Sequence, residues 1–416
     1  MHNRLISILA TITIFLISGC HYAGLKRDVK LLDNSTTLSG VVTAKESKSP
    51  IVVTLNRVTD EVIELEQYVT VLANNKFHFS VPNGDFYLFA FEDINQNFAL
   101  DNGESVAFYG SPSLLTVKDN KPIDDITITL LPQREAEALV PDLYTSDNQH
   151  SPIDYLHESI GKVVETSHFN KHSGKMGMWE PVRFHEAGNT GIFFLEPYSP
   201  SKIPVLFVHG MSGSGYDWRH LISTLDRDIY QPWIVQYPSG LRLDLVAKVL
   251  YQHVSELTVT YNTDKIIIIA HSMGGLVSKR VLDHEYAATK PQLNVAALIT
   301  ISTPWSGHDS AEIGVRLMPV AVPSWFDMAP SSDFLKKSRS LSLKEYLPHY
   351  LFFSYRDNGS LISSKNTDGV VSLNSQLAPY AQDGAVAIYG LNENHTSILK
   401  SPDLADKIEA ILRTLQ

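Results

Sequence analysis

The stretch KIIIIAHSMGG, residues 265–275, decides the fold of the carboxyl-terminal half of the chain. Its first part is a run of apolar, mostly β-branched side chains, which is typical of a parallel strand buried on both faces. Ser272 follows at once, and a helical segment begins at Leu276. The small residues Ala270 and Gly274 flank the serine at two positions' distance and let strand and helix approach. The sequence therefore predicts a strand–turn–helix unit with Ser272 at its apex, or else a serine that only caps a buried helix.

Similar apolar runs alternate with helical segments on both sides of this unit. Strands are predicted at residues 204–208, 233–236, 265–270, 295–301, 350–355 and 385–389. One helix between them shows apolar residues at helical spacing over 243–257, and the last helix starts at Pro402. Strands separated by helices of 10–20 residues indicate a doubly wound, mostly parallel α/β sheet over residues 201–416.

The serine turn resembles the nucleophile elbow of α/β-hydrolases, although Ala270 stands where glycine is most common. The run Val205–Ser214, a strand ending in His209-Gly210, resembles the oxyanion loop of the same superfamily. This resemblance implies that the N–H groups of Met211 and Met273 stabilise an oxyanion. It also implies that His209 orders the loop and is not a catalytic base.

In this superfamily a serine is followed in the chain by an acid and then by a histidine. The run Asp-Gly-Val-Val from Asp368 resembles the acid loop of bacterial lipases, and His395 stands where the family has its base. Asp357 competes for the acid role because it follows a predicted strand directly. The histidines at 284, 308 and 349 precede the acid and fit the chain order badly. The expected catalytic residues are Ser272, Asp368 and His395.

Residues 305–345 are predicted to insert between two strands as a cap over the site. The segment 318–326 within it is apolar and interrupted by prolines, and both a moving lid and a fixed cap are compatible with it. The whole region resembles lipase-like serine esterases, including bacterial relatives of the GPI inositol-deacylase group. That resemblance implies hydrolysis of carboxylic esters, with a small-molecule or lipid ester as substrate and no cofactor. The alternatives are a thioesterase, phospholipase or amidase, or a non-catalytic binding lipoprotein of the envelope.

The amino-terminal part of the chain has a different sequence pattern. Short alternating strands separated by turn residues fill residues 38–132 and predict a small all-β sandwich. Residues 133–200 are expected to be a helical and extended linker region. Within it, a capping box at Ser151 followed by apolar residues at helical spacing predicts a helix over 152–165.

The sandwich contains a polar loop whose oxygen-bearing side chains follow the order of an EF-hand loop. The candidate calcium ligands are Asp93, Asn95, Asn97, Asp101 and Glu104. Phe98 stands where the sharp turn of such a loop needs glycine, and the flanking segments are strands. A polar loop that only joins two strands is the competing interpretation.

The first nineteen residues predict a signal peptide. Leu5–Ile17 is apolar but too short to span a bilayer, and Ile17-Ser18-Gly19-Cys20 resembles the bacterial lipobox. The resemblance implies cleavage before Cys20, lipidation of its thiol with a palmitate-type acyl chain, and anchoring of the protein in a membrane. His21 after the cysteine suggests an outer-membrane lipoprotein facing the periplasm. Residues 20–37 are expected to be a flexible tether.

Composition excludes several other classes. The chain of 416 residues carries 34 Lys and Arg against 45 Asp and Glu, a net charge of −11, so a nucleic acid partner is not expected. Cys20 is the only cysteine, which rules out an intrachain disulfide and a cysteine-rich zinc site.

Overall fold

A computed structural model describes residues 22–45, 47, 49–59, 62–109, 114–132, 160–288, 293–339, 342–345, 347–356 and 366–416. The strands are β1 Ser35–Thr43, β2 Ile51–Thr59, β3 Val62–Val71, β4 Lys76–Pro82, β5 Gly84–Glu92, β6 Val106–Tyr109, β7 Leu115–Val117, β8 Ile123–Thr129, β9 Ile160–Val163, β10 Gly191–Phe194, β11 Ile203–Val208, β12 Tyr230–Gln236, β13 Ile266–His271, β14 Val295–Ile301, β15 His349–Ser354 and β16 Ala387–Leu391.

The helices follow the same chain order. They are α1 at residues 22–33, α2 Lys171–Trp179, α3 Pro181–Glu186, α4 Arg219–Thr224, α5 Leu243–Thr260, α6 Met273–Ala287, α7 Asp309–Leu317, α8 Pro323–Met328, α9 Asp333–Ser338, α10 Leu373–Gln376, α11 Pro379–Asp383 and α12 Pro402–Arg413. Short 3-10 turns lie at Thr166–His168, Gly215–Trp218, Leu343–Glu345 and Ser397–Lys400. Within the described ranges, none of the helices combines the length and apolar character that a bilayer span requires.

Eight strands form one sheet in the order β16-β15-β14-β13-β11-β12-β10-β9. All neighbours from β16 to β12 are parallel, whereas β10 pairs with β12 antiparallel and with β9 parallel. The central strand β13 is buried along its whole length, because helices cover both faces of the sheet. Helices α5 and α6 pack on one face and α12 on the other. The predicted α/β fold class is confirmed.

The domain boundary expected at residue 201 is wrong. Strands β9 and β10 belong to the eight-stranded sheet, so the α/β unit includes residues from 160 onward. Phe193 and Phe194 of β10 are buried, one on each face of the sheet, and an unpaired β12 edge would leave backbone groups without partners. The predicted helix over 152–165 falls partly outside the described residues, and its end is strand β9 instead.

The predicted all-β region over residues 38–132 is confirmed, and it consists of two small sheets. One has the order β4-β1-β8 and the other β3-β2-β5-β6, with β7 beside β5. Alternating residues of β1 and β4 point into a shared apolar interior, as a sandwich requires. The sandwich touches the α/β unit where α5 lies against β3, and the Gln252 side chain of α5 also donates to the backbone oxygen of His78 in β4 at 3.3 Å.

The tether predicted over residues 20–37 is wrong from residue 22 onward. Residues 22–33 form helix α1, and β1 begins directly after it. Leu25 and Asp28 are fully buried. One carboxylate oxygen of Asp28 accepts from the backbone N–H groups of Val182 and Arg183 at the start of α3, at 2.9 and 3.4 Å. This is a helix-capping contact, and it fixes α1 on the α/β unit. Residues 1–21, with Cys20, lie outside the described residues.

Candidate active site

The turn between β13 and α6 has the strained geometry expected for an exposed serine. Ser272 adopts φ 53° and ψ −127°, a backbone conformation that non-glycine residues rarely occupy. Its N–H donates to the Ile301 oxygen at 2.8 Å, which ties the turn to the neighbouring strand. A Cβ on Gly274 would lie 2.4 Å from the Val208 oxygen, so only glycine permits this approach of helix and strand. The turn therefore presents the hydroxyl at the carboxyl edge of the sheet.

Ser272, His395 and Asp368 are joined by two hydrogen bonds. The Ser272 Oγ lies 2.9 Å from His395 Nε2, and His395 Nδ1 lies 2.7 Å from Asp368 Oδ2. Because a carboxylate only accepts, Nδ1 carries the proton and Nε2 is left as the acceptor for the serine hydroxyl. Asp368 is completely buried, while Ser272 and His395 are 8% and 7% exposed. The structure thus brings together all three residues that the sequence predicted.

The carboxylate of Asp368 is held by donors on both oxygens. Oδ1 accepts from the N–H groups of Val370 and Val371 at 3.0 and 2.7 Å. Besides the imidazole, Oδ2 accepts from Ser354 Oγ at 2.7 Å and Gln376 Nε2 at 3.1 Å. Burial raises the pKa of Asp368, but the bond from the imidazole and these further donors outweigh it and hold the pKa below its usual value. The group is therefore a carboxylate at neutral pH.

The competing acid, Asp357, lies outside the described residues. Asp357 and Asp368 both follow β15 in the chain, before the next described element begins. Position after that strand therefore does not decide which of the two is the acid. Asp368 is the carboxylate that contacts His395. Its own backbone oxygen also accepts from the His395 N–H at 3.0 Å, which fixes the acid and histidine loops together.

The two amides expected to bind an oxyanion stand beside the serine. Met273 is the first residue of α6, where helix N–H groups lack intrahelical acceptors, and Met211 follows β11. Within the described part of the chain, neither N–H has a hydrogen-bond acceptor. The Met211 loop runs directly against the nucleophile, since a Cβ on Gly210 would lie 2.9 Å from Ser272 Cβ. Both donors are therefore available to a bound molecule.

His209 orders this loop. Its Nε2 accepts from the Tyr237 N–H at 3.3 Å, so Nδ1 carries the proton and donates to the Gly210 oxygen at 2.8 Å. Its ring stacks on Tyr237 with centroids 4.2 Å apart. Burial lowers the pKa of His209 to about 4, so it stays neutral and has no free nitrogen for catalysis.

His271 is a site residue that the sequence did not reveal. Its Nε2–H donates to the backbone oxygen of His395 at 2.8 Å, and the two rings lie 4.8 Å apart. Burial lowers the pKa of His271 to about 3, so the ring is neutral. Its position directly before Ser272 was a signal for a role in the site. The side chain holds the loop that carries the base.

Ser354 and Gln376 were also missed. Ser354 ends β15, and its Oγ lies 2.7 Å from Ser302 Oγ as well as from Asp368. Gln376 donates to Asp368 and accepts from the Ser354 N–H at 3.0 Å. A serine at a strand end and a glutamine in a short helix carry no sequence pattern, because only the folded chain brings them to the acid.

The three other histidines weighed as bases do not join the serine. His349 is buried and bonded to Thr300 Oγ1 at 2.8 Å, and His308 accepts from the Ser310 N–H at 3.1 Å as the cap of α7. His284 lies 3.9 Å from Asp244 on the far side of α6.

The predicted cap lies between β14 and β15 and contains α7, α8 and α9. Its base is fastened to the acid side of the site, where Ser375 accepts from the Ser306 N–H and donates from its hydroxyl to the Gly307 oxygen at 2.6 Å. Trp305 is buried under the cap. These contacts anchor the start of the segment.

Backbone N–H groups bond two carboxylates of the candidate calcium loop. Both Asp93 oxygens accept from the backbone of Asn97 and Phe98, and both Glu104 oxygens accept from Ile94 and Asp101. Among the described residues, no cluster of three His, Cys, Asp or Glu is arranged to hold a metal ion. Calcium binding by the candidate set Asp93, Asn95, Asn97, Asp101 and Glu104 stays a prediction, and the contacts observed in the loop are also those of a polar connection between two strands. Phe98 packs under the outer face of the β5 sheet, which explains its place in the loop.

A serine on a strand–helix turn, linked through histidine to a carboxylate at the carboxyl edge of a parallel sheet, defines the α/β-hydrolase class. Residues 199–366, about two fifths of the chain, match the family described as "Putative serine esterase (DUF676)". Over this segment the chain is similar to that family of serine esterases, and the match supports a serine esterase-like or lipase-like hydrolase. A comparison with curated proteins returned no match.

Solved structures to which part of the chain is similar include several hydrolases. The mature lipase BlEst2 of Bacillus licheniformis is 17% identical, with a TM-score of 0.41 over 54% of this chain and 98% of that one. A thermophilic esterase of Thermogutta terrifontis is 16% identical, with a TM-score of 0.37 over 52% and 91%. Phospholipase PlaB of Legionella pneumophila is 16% identical, with a TM-score of 0.41 over 52% and 59%.

Proposed function

We propose that the protein hydrolyses carboxylic esters through an acyl-enzyme on Ser272. The observation that carries this proposal is the hydrogen-bonded sequence Ser272 Oγ, His395 Nε2, His395 Nδ1 and Asp368 Oδ2 beside two unpaired backbone amides. Nucleophile, base, orienting acid and oxyanion donors are the complete set that acyl transfer needs.

In the first half of the reaction, Ser272 Oγ attacks the ester carbonyl while its proton passes to His395 Nε2. The carbonyl oxygen becomes an oxyanion, and the N–H groups of Met211 and Met273 stabilise it. The tetrahedral intermediate collapses, the C–O bond to the alcohol breaks, and the imidazolium returns its proton to the leaving oxygen. The acyl group remains on Ser272 as an ester.

In the second half, water takes the place of the alcohol. His395 accepts a proton from the water as it attacks the acyl carbonyl, and the same two amides stabilise the second oxyanion. Collapse releases the carboxylic acid and returns the proton to Ser272. Asp368 fixes the Nδ1–H tautomer throughout and stabilises the transient imidazolium. The reaction requires no metal or organic cofactor.

We further propose that the protein is an envelope lipoprotein, cut before Cys20 and anchored through lipid on its thiol. The short apolar leader and its lipobox-like end support this placement. The substrate is then a small-molecule or lipid ester that meets the enzyme at or near a membrane.

A series of p-nitrophenyl esters of increasing acyl length tests the activity, with Ser272→Ala as the blank. The proposal predicts turnover with at least part of the series and a loss of kcat on the order of 10⁴ or more in the variant. Equal turnover by the Ser272→Ala protein would remove the nucleophile assignment. Parallel thioester and anilide substrates measure the preference of the same site among acyl derivatives.

A further inference from the structure

Four exposed apolar side chains belong to two neighbouring helices of the cap and to the residue that follows the first of them. Ile313 and Leu317 belong to α7, Met318 follows it, and Phe326 belongs to α8; Leu317 is 68% exposed. The two helices touch through Gly314, where a Cβ would lie 2.5 Å from the ring of Trp325. We call Ile313, Leu317, Met318 and Phe326 the cap face.

The apolar side chains of α7 point away from the rest of the protein. Ala311 is the buried residue of this helix. At 100° per residue, Ile313 and Leu317 lie roughly 200° and 240° around the helix from Ala311, which is the solvent side. That side normally carries polar residues. Four of the fourteen large apolar side chains exposed in the described part of the chain fall within residues 313–326.

Helix α1 starts next to this face. A Cβ on Gly24 would lie 2.5 Å from the side chain of Glu180, so α1 runs against the end of α2. The preceding residue, Trp179, packs edge-on against Trp325 with ring centroids 6.1 Å apart. Two successive side-chain contacts therefore connect the amino end of α1 with α8 of the cap, which carries Phe326 of the cap face.

The anchor cannot move far from the amino end of α1. Asp28 and Leu25 fix α1 on the α/β unit, as described above. Cys20 precedes Gly24 by four residues, and four residues span at most about 14 Å when fully extended. A lipid on Cys20 thus holds Gly24 within roughly that distance of the bilayer surface.

We propose that the cap face docks on the lipid bilayer that holds the anchor. The inference rests on the lipid anchor proposed above and not on the chemistry of Ser272. The chain is acidic, with a net charge of −11, so electrostatic attraction to anionic lipid does not drive the contact. Apolar side chains that enter the interfacial region supply the attraction. The enzyme then sits with its cap on the membrane, ready for esters at the lipid surface.

Spin labelling of the lipidated mature protein tests this arrangement. Cys20 is the only cysteine, and its thiol is consumed by the lipid, so an introduced cysteine is the single reactive thiol. A nitroxide is attached to Leu317→Cys, and to Val386→Cys as the control. Val386 is 59% exposed and precedes β16, at the end of the sheet opposite to Ser272.

The proteins are reconstituted on vesicles of phosphatidylethanolamine and phosphatidylcholine, and label relaxation by oxygen and by a water-soluble nickel chelate is compared. We expect oxygen to relax the label at 317 strongly and the nickel chelate to relax it weakly. Both reagents should relax the label at 386. Equal exposure of both labels to nickel would overturn it. A label at 317 shielded from both reagents would also overturn it, because a protein partner or second copy then covers the face.

A double variant, Leu317→Glu with Phe326→Glu, separates this inference from the proposed chemistry. We expect unchanged hydrolysis of p-nitrophenyl butyrate in solution and at least a tenfold loss of hydrolysis of an ester embedded in the vesicles. Equal losses on both substrates would contradict the docking role. Intact mass shows whether Cys20 carries lipid, and an unlipidated mature chain would remove the basis of the inference.

Discussion

His395 depends on neighbours whose side chains form no hydrogen bond to the Ser272 hydroxyl. His271 donates to its backbone oxygen, and Ser354 and Gln376 hold the Asp368 carboxylate to which its ring is bonded. Each of these contacts is buried, so a missing donor would leave an acceptor without a partner and let the loop shift. The His395 ring is thus held in line with Ser272 Oγ in two ways, through its backbone by His271 and through Asp368 by Ser354 and Gln376.

The acid role can be assigned by substitution. Asp368→Asn keeps the shape of the side chain but favours the wrong histidine tautomer, and we expect kcat to fall by roughly 10³–10⁴. Asp357→Asn is the control and should cost far less. Steady-state kinetics on a p-nitrophenyl ester measures both, and the reverse ranking would transfer the role to Asp357.

The support from His271 has its own prediction. His271→Phe removes the donor to the His395 oxygen, and we expect kcat to fall by about 3–10-fold with KM little changed, the cost of one buried hydrogen bond. His271→Gln restores an N–H near the Nε2 position and should recover most of the loss. A fall in both variants to the same level would show that packing, and not the hydrogen bond, matters at this position.

At the scale of elements, the serine turn is fixed by the close approach of β11, β13 and α6. Gly274→Ala would place a methyl group 2.4 Å from the Val208 oxygen, and the helix would have to move. We expect a loss of about 2 kcal/mol or more in the free energy of unfolding, since overpacking at backbone contacts costs that much.

Gly384→Ala is a matched control for this substitution. Gly384 has φ −84°, and the nearest atom to its added Cβ lies at 3.4 Å. Its thermal midpoint should stay close to that of the unchanged protein, while that of Gly274→Ala drops by several degrees. Equal midpoints for the two variants would refute the packing argument.

The elements with strong local patterns were predictable from the sequence. The apolar run before Ser272 specified a buried parallel strand, and the alternation in residues 38–132 specified a sandwich. Helix α1 and strand β9 were not recognised, and β10 was not assigned to the α/β sheet. They are short or polar, and they owe their conformation to the contact of Asp28 with α3 and to the free edge of β12. Tertiary contacts, which no local pattern encodes, decide such segments.

The candidate site divides in the same way. Ser272, Asp368 and His395 stand in local motifs and in a fixed chain order, so the sequence proposed them together. His271, Ser354 and Gln376 reach the site only through folding. The loop at Asp93 shows the opposite case, because its side-chain order suggested calcium while the carboxylates are occupied by backbone N–H groups.

For the whole molecule, the buried neutral histidines predict that the folded state loses stability as the pH falls. Burial lowers the pKa to about 4 for His78, His209 and His284 and to about 3 for His271 and His349. The unfolded chain takes up these protons near pH 6.5, whereas the folded chain does not. The unfolded state therefore binds more protons between about pH 6.5 and 4, and stability falls as the pH falls through that window.

Each such histidine lowers the free energy of unfolding by up to about 1.4 kcal/mol per pH unit in this window. Glu104 acts in the opposite direction, because burial raises its pKa to about 7 and protonation favours the folded state. Burial also raises the pKa of Asp93, Asp217 and Asp283, but these four carboxyls are outnumbered by eight histidines whose pKa burial lowers. We expect a thermal midpoint clearly lower at about pH 5 than at about pH 7.5. His284→Gln should reduce the difference, and a midpoint that rises on acidification would contradict this balance.

The most direct test of the central claim is covalent capture of the nucleophile. The unchanged protein is treated with a fluorophosphonate, and the modified peptide is identified by mass spectrometry. We expect one adduct, on Ser272, together with loss of ester hydrolysis, and much slower labelling in His395→Ala because the base is missing. A protein that hydrolyses esters while Ser272 stays unmodified, or that is labelled at another residue, would contradict it.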